Sequence, residues 1–208
     1  MHIDAPDHYK KTPLMMAIGL GHNEVSSLLI ERSCSLVAAD SFGFTPLHYA
    51  SLHGRIETVK LLLEQPTVQI DALADNGITP LYLAAHAGHV AIVNLLILKG
   101  ANQSLTTVVR TQHTRANRMS AAPRLLMPRT YGLLQTGLTP MHEAARNGNS
   151  KCISLLLTMA APIDTQDDLG NTPLFYACKS NSRECASMLL DAKADPDHAN
   201  KRYGDGCT

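Results

Sequence analysis

The chain has 208 residues, 45% of them hydrophobic but only 4% aromatic, with no tryptophan; any core must therefore be built from Leu, Ala, Val, Ile and Met. Eighteen basic and eighteen acidic side chains cancel, so no global field draws the whole molecule to nucleic acid or to an anionic membrane. No run approaches the roughly 20 apolar residues of a membrane span, and the first residues lack the charged and apolar regions of a signal peptide.

Taken in chain order, the predicted elements are short helix pairs that begin at Thr-Pro steps: Thr12-Pro13, Thr45-Pro46, Thr79-Pro80, Thr139-Pro140 and Thr172-Pro173. Threonine caps a helix well, and proline is tolerated at the first helical position, where its missing N–H has no helical partner to lose. Counted from each Thr, an apolar residue stands at plus two and an alanine at plus five (Ala17, Ala50, Ala84, Ala144, Ala177), a small residue where helices must approach closely. At plus nine come Gly21, Gly54, Gly88, Gly148 and, as the exception, Asn181, all able to take the left-handed backbone that ends a helix. A second helix is expected next in each unit. Leu28-Leu29, Leu61-Leu62, Leu95-Leu96, Leu155-Leu156 and Met188-Leu189 mark it, and Val25, Leu28 and Leu29, like Ile92, Leu95 and Leu96, fall at the spacing of one apolar stripe.

The Thr-Pro steps are 33, 34, 60 and 33 residues apart. A fixed period of this length is the mark of a stacked repeat array. Thr45-Pro46-Leu47-His48-Tyr49-Ala50 carries the Thr-Pro-Leu-His-x-Ala signature in full, and Thr139-Pro140-Met141-His142-Glu143-Ala144 differs from it by one Met. The other copies hold Met15, Tyr82 or Phe175 in place of His. These residues resemble the ankyrin repeat over everything except one insertion. The resemblance implies an all-α solenoid of stacked helix-turn-helix units with finger loops, about five repeats plus the start of a sixth, curved around a concave face.

The expected organisation is three repeats over 1–105, an Arg-rich insertion over 106–135, two further repeats over 136–200, and the truncated start of another over 201–208. The insertion sits where a finger loop belongs, the surface connection that best tolerates additions. It holds Arg110, Arg115, Arg118, Arg124 and Arg129 with no acidic residue, so charge is segregated along the chain. Read functionally it is a docking arm for an acidic protein, nucleic acid or membrane; read blandly it is a flexible loop, which its lack of apolar periodicity favours. At the end, Gly206-Cys207-Thr208 repeats the Gly-x-Thr lead-in seen at Gly43 and Gly170, from which the expectation is a piece of a longer repeat protein.

Five cysteines, Cys34, Cys152, Cys178, Cys185 and Cys207, contain no Cys-x-x-Cys pair and read as buried reduced thiols. His48 and His142 occupy the repeat's own His position, while His22 and His89 follow its Gly, so they read as framework rather than metal ligands. No catalytic or nucleotide-binding motif appears. Catalytic residues, metal and cofactor are therefore expected to be none, and the partner another protein rather than a small-molecule substrate, with nucleic acid and membrane disfavoured.

The resemblance places the variable positions beside each Gly-x-Thr lead-in, and at the end of each first helix, on the concave side. The candidate contact residues are Tyr9, Phe42, Phe44, Leu52, His53, Ile78, His86, Leu138, Arg146 and Lys179. Phe42 and Phe44 are not required by the framework, and exposed aromatics there would suit an interface anchor. The functional expectation is an interaction scaffold or adaptor, cytoplasmic and reaching the nucleus or the inner membrane face through its partners. The alternatives are a targeting subunit of a phosphatase or ubiquitin ligase and, third, binding through the Arg-rich insertion.

Overall fold

The computed structural model describes residues 3–108 and 136–197. Ten α-helices lie among them, two per unit: α1 (Pro13–Leu20) and α2 (Asn23–Glu31), α3 (Pro46–Leu52) and α4 (Ile56–Leu63), α5 (Pro80–Ala87) and α6 (Val90–Leu98), α7 (Pro140–Arg146) and α8 (Ser150–Thr158), α9 (Pro173–Lys179) and α10 (Arg183–Asp191). The first helices stack on one another as one layer and the second helices as another, so an all-α ankyrin-repeat solenoid is what forms. Packing is closer in the first layer, because alanines 50, 84, 144 and 177 are fully buried where helices meet.

Each first helix starts as its sequence dictates. The Thr79 hydroxyl accepts the N–H of Tyr82 at 3.1 Å, and Thr12, Thr139 and Thr172 cap their helices in the same way. In two units His completes the cap: the Nδ1 of His48 and of His142 each accepts the N–H of its Thr at 3.1 Å. Nε2 must then carry the proton, and it donates across to the next finger, to Ile78 O at 3.0 Å and Asn171 O at 3.1 Å. One ring therefore joins a helix cap to the following unit.

The fingers are short hairpins closed on a turn. Asp40 N–H donates to Phe44 O, and its carboxylate accepts the N–H groups of Phe42 and Phe44 and the hydroxyl of Tyr49. Asp167 repeats this with Leu169, Asn171 and Tyr176. Successive fingertips are tied by one backbone bond per step, Ser41 N to Tyr9 O, Asp75 N to Phe42 O, Val108 N to Asn76 O and Asp168 N to Thr136 O. Thr107 takes the place of Asp40 in the finger that carries the extra residues: its N–H donates to Leu138 O and its hydroxyl accepts from Leu138 N. Residues 106–108 thus form part of the finger, and the rest of the Arg-rich insertion, with all five arginines, lies outside the described residues, as does the 201–208 start of a further repeat.

Two expectations about burial need correction. The apolar stripe of the second helix is buried at Ile92 and Leu96, but in the first unit Val25 and Leu28 are exposed, because among the described residues no unit packs on the outer side of α1 and α2. Of the cysteines, Cys34, Cys152 and Cys185 are buried free thiols, whereas Cys178 is at the surface near the end of α9; Cys207 lies outside the described residues.

Candidate functional site: the first-helix face and fingertips

The column of residues immediately before each Thr cap lies inside the protein. Phe44 and Leu138 are buried, as are Lys11 and Asn171, and Ile78 is half-buried against the core. The expectation of an exposed Phe44 is therefore wrong, and Leu138 fails in the same way. The cause is the finger's own closure: the bonds between Asp40 and Phe44 fold the strand back beneath the first helix. That presses the Phe44 ring edge-on to His48 and Tyr49, with ring centres 5.5 and 6.4 Å away.

What remains on the surface is the fingertip column and the ends of the first helices. Tyr9 and Phe42 are half-buried on successive fingertips, joined through the Ser41 N–H, while Asp75 and Asn76 stand exposed on the third. Leu52 and His53 close α3; the His53 ring stacks on Tyr49 with centres 6.3 Å apart, and Lys11 Nζ sits 5.6 Å from the same ring on the finger side. Burial lowers the pKa of Lys11 against the pull of Asp40 and Asp7. Burial, with Arg55, His89 and Lys11 nearby, likewise lowers that of His53. The His53 Nε2 is enclosed without a hydrogen-bond partner. A cation over an aromatic face and a neutral imidazole make this end of the row amphipathic rather than charged.

The next steps along the row differ in kind. His86, at the end of α5, donates from Nδ1 to the Glu143 carboxylate at 2.7 Å; Tyr82 OH reaches the other oxygen at 3.0 Å, and Asn147 and Arg146 approach at 3.1 and 3.8 Å. Glu143 is buried, and burial alone would raise its pKa, but the His86 hydrogen bond and the nearby positive groups hold it below the usual carboxylate value. Sequence reading passed over this network. Its signal was the odd residue at plus four: Glu143 stands where the other units have Met16, Tyr49, Leu83 and Tyr176. Tyr49 and Tyr176 bind the finger Asp of their own unit; the fourth unit has Thr107 there instead, and Glu143 turns to the unit before it. Lys179 is exposed at the end of α9.

Among the described residues no helix is long and apolar enough to cross a membrane, and no three His, Cys, Asp or Glu side chains converge on a metal-sized space.

A family model described as ankyrin repeats in three copies matches residues 2–74, 42–107 and 115–200. E3 ubiquitin-protein ligase XBAT33 of Arabidopsis thaliana is 31% identical over 164 residues, covering 77% of this chain and 25% of that protein. Inversin of Danio rerio is 39% identical over 64 residues, 30% of this chain and 6% of inversin. The transient receptor potential cation channel subfamily A member 1 of Homo sapiens is 38% identical over 58 residues, 28% of this chain and 5% of the channel. The chain thus spans a quarter or less of the length of these relatives. Ankyrin repeats in general mediate protein–protein interaction and are not themselves catalytic modules. With helix pairs, caps, fingers and family match in agreement, the chain belongs to the ankyrin-repeat family.

Proposed function

We propose that this chain is a non-enzymatic recognition module that holds a partner protein along the first-helix face and the fingertips. One observation carries the reading. The framework positions are repeated and buried, whereas the ends of the first helices hold a different side chain in each unit, Leu52, His86, Arg146 and Lys179, half-buried or exposed on one side of the stack. Variation confined to one accessible row of a rigid scaffold is how a shared fold acquires a particular partner. Tyr9, Phe42, Leu52 and His53 form the amphipathic part of the row, and Arg146 and Lys179 the cationic part; Phe44, Ile78 and Leu138 support it from beneath.

The test is site-specific photo-crosslinking in cells. A crosslinker at Phe42, His53 or Lys179 should capture the same protein, and one at Lys60 or Lys151 on the second helices should not; equal capture from both sides would overturn the reading. A cytoplasmic location is part of this proposal, with the nucleus or inner membrane face reached through the partner.

A second reading is favoured by the match to XBAT33 over most of this chain. In it the array selects substrates for a ubiquitin ligase whose active part lies elsewhere. Ubiquitin transfer to the crosslinked partner, lost when the Phe42 side is altered, distinguishes it from a plain scaffold.

A further inference from the structure

The frame of the fourth unit does not require Glu143. At Asp40 and Asp167 the finger aspartate is met by the tyrosine at plus four, but the third unit has Ala74 and Leu83 at these two places and closes with no polar side chain at either. The fourth finger has Thr107, so an apolar residue at plus four would serve there as well. Nor is the carboxylate needed to tie the two units. At plus ten, Arg55, His89 and Asn149 donate back to carbonyls at the end of the preceding first helix, Ile18 O at 3.2 Å, Leu52 O at 3.1 Å and Ala85 O at 2.7 Å. The joint before the fourth unit thus already has its clasp. A buried ionised group carries a desolvation cost that packed apolar side chains avoid.

What the carboxylate does is orient side chains at the ends of α5 and α7. It accepts from His86 Nδ1, Tyr82 OH and Asn147 Nδ2, with Arg146 Nη1 beyond them at 3.8 Å. With Nδ1 committed, Nε2 is the polar atom the His86 ring has left. It has no hydrogen-bond partner among the described residues, and it is not enclosed. The His86 side chain is only 15% exposed and that of Arg146 26%, so both are walled in and held. Among the described residues Arg146 pairs with no carboxylate but Glu143, and Lys179, exposed one step further along the row, pairs with none. The finger aspartate of that unit, Asp167, is taken by Leu169, Asn171 and Tyr176. Arg146 alone offsets Glu143, and the surplus positive charge lies on the accessible side.

We propose that His86 Nε2, Arg146 and Lys179 form a subsite for a carboxylate side chain of the partner protein, with Glu143 as its positioning residue. The subsite rests on the first-helix face being the surface that holds the partner, and gives the chemistry of one group received there. A carboxylate can accept from the guanidinium, the ammonium and the ring together, in charge-assisted bonds. The ring then keeps a proton on each nitrogen, and the two carboxylates that flank it stabilise its charge.

The probe is acetyl-Glu-Glu-Glu-amide, titrated into the full 208-residue chain labelled with 15N, with the His86 ring nitrogens and the Arg146 Nε–H as reporters. Both should shift together and saturate, and neither should move with acetyl-Gln-Gln-Gln-amide. R146A/K179A, which alters accessible side chains, should weaken binding at least ten-fold with unchanged circular dichroism. E143Q should weaken it too and abolish the slowly exchanging Nδ1–H signal of His86, a change that loss of packing alone does not produce. Reporters unmoved by the glutamate peptide, equal shifts with the glutamine peptide, or binding that survives R146A/K179A would each overturn the subsite, as would a phosphoserine tripeptide that binds where the glutamate one does not. E143Q that binds like the parent would overturn the positioning role. If crosslinkers at Phe42, His53 and Lys179 capture one protein while the peptide fails, the first-helix face stands and the carboxylate subsite falls.

Discussion

His48 and His142 each use one ring for two tasks, accepting at the cap through Nδ1 and donating to the next finger through Nε2, and protonation of Nδ1 ends the first task. Burial pushes the pKa of His48 down to about 4 and that of His142 in the same direction. A histidine whose folded pKa lies below its unfolded one binds fewer protons folded, so stability is complete above about pH 6.5 and falls as pH drops toward 4, by up to roughly 1.4 kcal/mol per pH unit for His48. Urea midpoints measured from pH 7 to 4.5 should show this slope, and H48Q, which keeps a capping side chain but does not titrate, should reduce it to the part that His142 contributes. Glycine at plus nine has an equally local reason. Gly88 has φ +74°, and a Cβ there would lie 2.9 Å from the Asn149 side chain that clasps Ala85 O; at Gly148, φ +70°, the nearest atom is 3.5 Å away on Ser182. G148A should therefore cost about 1 kcal/mol for the backbone alone, and G88A about twice that, read from denaturant unfolding. The Thr-Pro step, the alanine and the glycine were legible because each depends on a few neighbouring residues. Burial of Phe44 and Leu138 was not, because it depends on a hairpin closing through Asp40 or Thr107 and on the stacking of the next unit.

Among the elements, the fourth finger is the informative one. Val108 still bonds to the finger before it and Thr136 to the finger after it, so the added residues leave the ladder at one point and rejoin it one position later. Removing residues 109–135 restores a 33-residue interval and joins two atoms of chain that already lie in one hairpin. The shortened protein should fold with stability equal to or above the parent by no more than about 2 kcal/mol, the scale of loop-closure entropy, with the midpoint of thermal unfolding as the check. The 60-residue spacing made an insertion in a finger legible from sequence. The exchange of Asp and Tyr for Thr107 and Glu143 around it was not, because Glu143 has its partners, Tyr82 and His86, in another unit.

Across the whole molecule, each unit touches only its neighbours, so stability is a sum of unit and joint terms rather than the property of one central core. Among the described residues the third unit has a joint on both sides, whereas the first has one and leaves Met16, Leu20, Val25 and Leu28 exposed. Amide hydrogen exchange should therefore be fastest in α1 and α2 and slowest in α5 and α6. Equal protection throughout would show that the array opens as one body.

The plus-ten side chains give the stack a direction. Each of Arg55, His89 and Asn149 is a hook thrown toward the amino terminus, so a unit grips its predecessor while its own carbonyls wait to be gripped by its successor. The two ends of such an array are not equivalent. One face of each unit offers side-chain donors and the other backbone acceptors, so whatever covers either face must answer a different chemistry.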